Sequence, residues 1–193
     1  MGVLYRHADD VDELLIPYVR RRGSEASAGR IHAVYLAASL GRISSERLWE
    51  ELGVAGHASD AEYCALHELT RGARELLADG VPAGVAVACL SNDVAAWSQR
   101  LRRRFGLDRA IGEWVVSGDV GHRKPDPAIY ELTARRIGAD GSEVLFVDDR
   151  PANLDAAAAR GWSTVQFGGT PTPRHRRVAG FAELRGLLSG PYA

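Results

Sequence analysis

The first part of the chain carries apolar residues at helical spacing. Hydrophobic side chains recur every three or four positions, first at Leu14, Leu15, Tyr18 and Val19. Ser59 followed by Glu62 is the pattern of a capping box at the start of another helix. The spacing therefore predicts that residues 9–79 are helical throughout and contain no strand.

After Pro82 the pattern changes to short apolar runs that alternate with amphipathic helices. The runs predict strands at 85–90, 114–116, 144–147 and 164–167, and the segments between and after them predict helices at 94–104, 128–137, 152–160 and 181–188. Continuous apolar strands separated by helices are typical of a parallel sheet that is covered on both faces. The sequence therefore predicts an α/β fold with a doubly wound parallel sheet.

Composition narrows the class of protein. The chain has 193 residues, is 46% hydrophobic, and carries 24 basic and 25 acidic side chains. This balance does not support a nucleic-acid or membrane-surface role. Cys64 and Cys89 lack metal-ligand spacing and are expected to be buried free thiols of a reducing compartment. With no signal-peptide pattern and no apolar run of membrane length, we expect a soluble, cytoplasmic protein.

Lys124 is the single lysine among the 24 basic residues, so the rest are arginine. Lysine offers a compact ammonium, whereas the guanidinium of arginine is a broad planar fork. Pro125 favours an extended conformation at Lys124, while Asp126 and Pro127 have the pattern of an N-cap and a first helical residue. We therefore expect Lys124 to lie on a loop at a helix start, where its charge can reach a ligand.

Two further polar clusters follow predicted strands. Ser91 and Asn92 come after the first apolar run, at a helix start that suits either a phosphate oxygen or ordinary helix capping. Asp148 and Asp149 follow the third run, and two adjacent carboxylates need a positive partner, either Mg²⁺ or the lysine. The alternative is a capping role for Asp149 ahead of Pro151, which explains only one of the two acids. Right-handed crossovers place all three loops at one sheet edge.

In this order, the three loops resemble the second, third and fourth motifs of the haloacid dehalogenase-like hydrolases. The resemblance covers about residues 85–167 and is strongest at Gly-His-Arg-Lys-Pro-Asp-Pro and Phe-Val-Asp-Asp-Arg-Pro. It is closest to the branch that contains sugar-phosphate phosphatases and the phosphatase domain of soluble epoxide hydrolases. It implies a Rossmann-like core formed by residues 80–193 with 1–8, and a helical cap formed by residues 9–79.

The resemblance also implies an activity and site residues. Ser91, Asn92 and Lys124 would bind phosphate, with Ser91 and Lys124 counted as catalytic, and Asp148 and Asp149 would bind Mg²⁺. The reaction would be Mg²⁺-dependent hydrolysis of a small phosphorylated metabolite through an aspartyl-phosphate. The alternatives are a catalytically silent relative that binds a phosphorylated ligand or a protein partner, and, as a minor one, haloacid dehalogenation.

The first motif of this family, a strand that ends in Asp-x-Asp-Gly, is not present in the sequence. Residues 1–5 resemble its end, without the strand and both aspartates, so a native chain with an upstream strand is expected. Asp10 and Asp12 repeat the spacing, but no apolar strand precedes them and acids are common in a first helical turn. Because the family places this strand centrally, we predict a gap in the sheet between the strands that end at Leu90 and Val147.

Overall fold

The computed structural model describes residues 1–139 and 141–189, and residues 9–79 form a series of helices joined by turns, as predicted. Ser59 caps the fourth helix by accepting a hydrogen bond from the Glu62 amide. Residues 9–79 contain no strand, and their one extended pairing is the isolated bridge between Leu69 and Tyr5. The helices of this segment are a π-helical turn Val11–Leu15 that continues into α1 Ile16–Arg21, then α2 Ala28–Ser39, α3 Ser45–Glu51, α4 Asp60–Ala65, and α5 Ala73–Glu75 with a π-helical turn Leu76–Gly80.

The rest of the chain alternates strands and helices. The strands are β1 Ala88–Ser91, β2 Glu113–Val116, β3 Leu145–Asp148, β4 Ser163–Phe167 and β5 Arg176–Val178. The helices are α6 Ala95–Phe105, α7 Ser117–Val120, α8 Pro127–Ile137, α9 Pro151–Ala158 and α10 Phe181–Leu188, with 3₁₀ turns at Leu107–Arg109 and Gly141–Glu143. All strand pairs are parallel, which confirms the predicted α/β class.

The parallel strands form two separate sheets. One pairs β1 with β2, and the other has the order β3, β4, β5. In the part of the chain that the structure describes, β1 and β3 do not pair with each other. The predicted gap is therefore present, and it lies between the two strands that the sequence indicated.

The gap leaves apolar side chains uncovered. Val85, just before β1, is 50% exposed, and Leu145, at the start of β3, is 37% exposed. Cys89 and Leu90 in β1 are only half-buried. Among the described residues, no neighbouring strand pairs with β1 or β3 across the gap, so these edges are uncovered.

Some predicted boundaries need correction. The strand predicted at 85–90 begins only at Ala88, because the preceding residues form a turn in which Gly84 adopts a φ of +84°. The other predicted strands and helices agree with the structure to within two residues. The short strand β5 was not predicted, because its sequence Arg-Arg-Val has no apolar run.

The helical segment packs on α6 through a shared aromatic core. Trp97 of α6 is fully buried and lies 4.4 Å, between ring centroids, from Tyr63 of α4. Asp60 accepts hydrogen bonds from the indole nitrogens of Trp97 and Trp49 at 2.7 Å and 2.9 Å. These contacts fix the helices next to the carboxyl ends of β1 and β2. Among the described residues, no helix has the length and apolar character needed to cross a membrane.

Candidate functional site

Lys124 lies at the carboxyl end of the gap between the two sheets. Its Nζ donates to the carbonyl oxygen of Leu90 in β1 at 2.8 Å and to Asp148 Oδ2 at the end of β3 at 2.7 Å. The predicted helix start holds, since Asp126 is the N-cap of α8 and accepts from the Ala128 amide. The lysine therefore bridges the strands that flank the gap.

Asp148 is buried, and both of its oxygens accept hydrogen bonds. Its Oδ1 accepts from the Arg150 amide and from Asn153 Nδ2, both at 2.9 Å, while its Oδ2 accepts from Lys124. Burial alone would raise the pKa of Asp148, but the Lys124 ammonium and these hydrogen bonds outweigh it and hold the pKa below its usual value. Asp148 is therefore a carboxylate that fixes Lys124.

Asp149 differs from its neighbour. It is half-buried, and burial followed by the charge of Asp148 raises its pKa, while the N-terminal amine opposes the shift. It has no ion-pair partner among the described residues. The capping alternative is not realised, because Arg150 is the N-cap of α9 and that cap has no side-chain bond. Gly2, with a φ of +79°, packs so closely that an added Cβ would collide with this carboxyl group.

Asn92 positions the lysine loop. Its Nδ2 donates to the Lys124 carbonyl at 2.9 Å, and its Oδ1 accepts from the Lys124 amide at 2.8 Å. The Asn92 side chain is therefore already used, which leaves its backbone for a phosphate oxygen. The capping alternative for the Ser91 loop is not realised either, since Val94 is the N-cap of α6 and gives no side-chain bond.

A cavity of about 270 Å³ opens above the gap. Four of the five predicted site residues line it, namely Asn92, Lys124, Asp148 and Asp149. Ser91 does not line it, although it ends β1 next to Asn92. The cavity is further lined by Met1, Ala8, Asp9, Asp10, Val11, His32, Tyr35, Leu36, Arg123, Arg150 and Asn153.

Sequence reasoning missed the contribution of the helical segment to this cavity. Asp10 was discounted as an ordinary first-turn acid, yet it is buried and lines the cavity, with the Tyr35 hydroxyl 3.4 Å from its Oδ2. Burial raises the pKa of Asp10, and the N-terminal amine opposes the shift. No periodicity signal could have singled it out, because Asp9 and Asp12 beside it look the same in sequence.

The residues that are present form only part of a metal site. Adjacent carboxylates suit a hard cation such as Mg²⁺, and Asp148 Oδ2, which accepts only from Lys124, keeps a lone pair for such a contact. Within residues 1–139 and 141–189, no three His, Cys, Asp or Glu side chains are grouped so that they could hold a metal ion. Asp148 and Asp149 therefore supply two carboxylates, and a complete site needs a further donor.

Buried Asp93 should make the free energy of unfolding depend on pH. Its Oδ1 accepts from the Val94 amide at 2.8 Å, while its Oδ2 has no partner. Burial and then the charge of Asp10 raise its pKa to about 7, against the N-terminal amine and Arg123. Because the folded-state pKa is raised, this group's contribution to stability is complete below its ordinary pKa of 3.8 and is lost as the pH rises to about 7.

We therefore expect Asp93→Asn to gain stability relative to the wild type between pH 4 and pH 7. Each pKa unit corresponds to about 1.4 kcal/mol, so the gain should be about 1–4 kcal/mol. Urea denaturation across this pH range measures it, with the exposed Asp119→Asn as control. Asp148 does not interfere, because its lowered pKa moves its own loss of stability below pH 3.8. Parallel pH profiles of Asp93→Asn and the wild type would contradict the prediction.

Comparisons with known proteins show the family to which the chain belongs. The sequence model of the haloacid dehalogenase-like hydrolases matches residues 9–161. The chain is 32% identical over 114 residues to (S)-2-haloacid dehalogenase 4A of Burkholderia cepacia, covering 55% of this chain and 49% of that protein. It is 31% identical over 137 residues to a phosphoglycolate phosphatase of Pseudomonas syringae, covering 66% and 50%. The chain thus spans about half the length of these curated relatives.

Solved structures have the same fold. A dehalogenase crystal structure superposes with a TM-score of 0.69 at 25% identity, covering 98% of this chain and 94% of that one. A HAD family enzyme from Bacteroides thetaiotaomicron, solved with magnesium and inorganic phosphate, superposes with a TM-score of 0.74 over 90% and 93% of the chains. Because the Bacteroides enzyme is only 18% identical to this chain, its similarity shows the fold alone. Since the family model covers most of the sequence, this chain belongs to the haloacid dehalogenase-like hydrolases.

Proposed function

We propose that this chain forms the substrate site of a phosphatase that acts on small phosphorylated metabolites, and that a strand carrying a nucleophilic aspartate completes it. One observation carries the proposal. The Lys124 ammonium spans the gap, bonded to Leu90 on one side and to Asp148 on the other. An aspartate that ends a strand in this gap would lie next to the ammonium, as would the phosphate it attacks.

The residues of this chain would then act by charge and position. Asp148, Asn92 and Asn153 hold the lysine loop in place, so Lys124 can neutralise the anionic nucleophile and the phosphoryl group together. The aspartate oxygen would attack phosphorus, and the leaving alkoxide would take a proton from the second acid of the completed Asp-x-Asp motif. Water, after giving a proton to that acid, would then hydrolyse the aspartyl-phosphate to inorganic phosphate and the free aspartate. Mg²⁺, when bound, would offset charge on the phosphoryl oxygens, with Asp148 and Asp149 as the carboxylates that would hold it. Residues 9–79 would act as the cap over this cavity.

The adjacent carboxylates of Asp148 and Asp149 favour phosphate transfer over dehalogenation. A dehalogenase has no need for a second carboxylate beside Asp148. Asp149 lies in the cavity and has no ion-pair partner among the residues that the structure describes, which suits a metal-assisted phosphatase. A phosphoglycolate phosphatase is also among the relatives of this chain. The second candidate is a silent ligand-binding relative, and it is favoured by the incomplete metal site among the described residues.

The deciding experiment compares the 193-residue chain with a version extended by an apolar strand. The extension places an aspartate two residues before position 1, with Met1→Asp to restore both acids of the motif. We expect the extended chain to hydrolyse a generic aryl phosphate with Mg²⁺ at a rate roughly 10³-fold or more above an otherwise identical chain with asparagine as nucleophile. The unextended chain should show no turnover.

Two outcomes would favour other functions. Phosphate binding by the extended chain without turnover would support the silent relative. Robust turnover by the unextended chain that disappears in Asp10→Asn would identify Asp10 as the nucleophile and overturn the proposal.

A further inference from the structure

Arg123 lines the cavity next to Lys124, but the two side chains have different surroundings. Lys124 is engaged by Leu90 and Asp148. The Arg123 guanidinium instead turns toward α2, where its Nη1 donates to Ser39 Oγ. Its Cζ lies 5.6 Å from the centroid of the Tyr35 ring.

The partners of Arg123 are themselves rigidly held. Ser39 is fully buried, and its carbonyl oxygen accepts from Ser117 Oγ at 2.5 Å. Tyr35 is also buried and stacks on Trp97 with ring centroids 6.2 Å apart. One side of the guanidinium is therefore fixed before any ligand arrives, which reduces the entropy lost on binding.

The guanidinium of Arg123 also has N–H donors that these contacts do not use. Arginine carries five N–H donors, and the described contacts with Ser39 and Tyr35 do not use them all. The planar fork matches the two oxygens of a carboxylate or phosphate group. Leu36, next to Tyr35 on α2, lines the same cavity and is 46% exposed, so it offers an apolar wall to a short carbon spacer.

We propose that Arg123 forms a subsite for a second oxyanion of the substrate, separate from the phosphoryl group at Lys124. The ligand class is a short phosphate monoester with a carboxylate or a second phosphate a few bonds away. This inference rests on the proposed function, since it assigns the second half of the same cavity. Arg123 would determine specificity and would take no part in bond breaking.

The test measures binding to the 193-residue chain in metal-free buffer, by calorimetry. The probes are methylphosphonate, with one anionic group, phosphonoacetate, with a carboxylate added, and methylenediphosphonate, with a second phosphonate added. We expect at least one of the two-headed probes to bind about tenfold or more tightly than methylphosphonate, as a charge-assisted hydrogen-bonded pair allows. The tighter of the two identifies the second oxyanion as carboxylate or phosphate.

Arg123→Gln should bring the two-headed probes to within about twofold of methylphosphonate and leave methylphosphonate binding unchanged. Ser39→Ala, which keeps the guanidinium but removes its anchor, should lose part of the preference. Arg150→Gln is the matched control, because it removes the same charge from the same cavity at an exposed residue, and it should keep most of the preference.

Several results would overturn this subsite. For the wild type, these are equal binding of all three probes, or no binding of either two-headed probe. For the variants, they are loss of methylphosphonate binding in Arg123→Gln, or a loss of preference in Arg150→Gln that equals the loss in Arg123→Gln. Failure here is distinguishable from failure of the proposed function. Turnover of an aryl phosphate by the extended chain needs no second oxyanion, so it can succeed while the preference is absent.

Discussion

Adding a strand that fills the gap between β1 and β3 should raise the free energy of unfolding by about 3 kcal/mol or more. Each new ladder hydrogen bond contributes about 0.5–1.5 kcal/mol, and the strand has a neighbour on both sides. It would also bury its own apolar side chains at about 1.5–3 kcal/mol each. Ordering the added residues costs about 1–2 kcal/mol each, so only part of this gain remains.

Urea denaturation of the extended and unextended chains measures this gain. The control is an extension of equal composition with proline at its centre, because proline cannot donate to a ladder and is not tolerated in a central strand. Hydrogen exchange gives a second readout, since amides of β1 and β3 should become protected. An equal gain from the proline control, or no gain from the apolar strand, would show that the gap does not accept a strand.

Removing the Lys124 ammonium should be the most damaging single substitution at the site. The side chains of Lys124 and Asp148 are 11% and 3% exposed, so Lys124→Met leaves a buried carboxylate without its counter-charge. Breaking a buried pair in this way costs about 3–5 kcal/mol. The measurement is best made in the strand-extended background, where enough stability remains for the variant to fold.

The double variant Lys124→Met with Asp148→Asn tests the cause, because it removes both charges. We expect it to be more stable than Lys124→Met alone, by about 1–3 kcal/mol of coupling. The exposed pair of Arg160 and Glu131 is the matched control, and Arg160→Gln should cost no more than about 1 kcal/mol. Equal costs for Lys124→Met and Arg160→Gln would contradict the assigned role of the buried pair.

Lys124→Arg separates charge from shape. Nζ makes two short hydrogen bonds, to Leu90 O and Asp148 Oδ2, and a planar guanidinium cannot replace both from the same position. We expect turnover of the strand-extended chain to fall by about 10²-fold or more, since small displacements of a charged group are costly in catalysis. Unchanged turnover would show that this position needs only a positive charge.

The sequence predicted the sheet and its defect because both depend on local pattern and chain topology. Apolar runs predicted four of the five strands. Because the first motif of the family is not present in the sequence, a gap was predicted between the strands that end at Leu90 and Val147, and the two sheets separate there. The loops with Asn92, Lys124 and the acid pair were expected to meet, because parallel strands end at one edge. The structure brings those loops together around one cavity.

The individual contacts of the site residues were outside the reach of the sequence. Asp148 and Asp149 are identical in type and adjacent, yet Asp148 pairs with Lys124 while Asp149 has no ion-pair partner among the described residues. Likewise, nothing in the pattern indicated that the Asn92 amide would hold the lysine loop or that Ser91 would lie outside the cavity lining. Side-chain direction depends on the backbone geometry at each strand end, and residue type does not encode it.

The largest omission concerns the helical segment. Periodicity assigned residues 9–79 to helices, but it could not show which side chains would face the cavity, because that depends on how the helices pack against α6. Arg123 and Ser39 are 84 positions apart in the chain and form a hydrogen bond. Sequence alone thus determined the class of fold, the place of the gap between the two sheets and the loops that carry charge. Only the tertiary structure decided which of those charges are neutralised by burial and pairing and which can still bind a ligand, because these properties arise from contacts between distant segments.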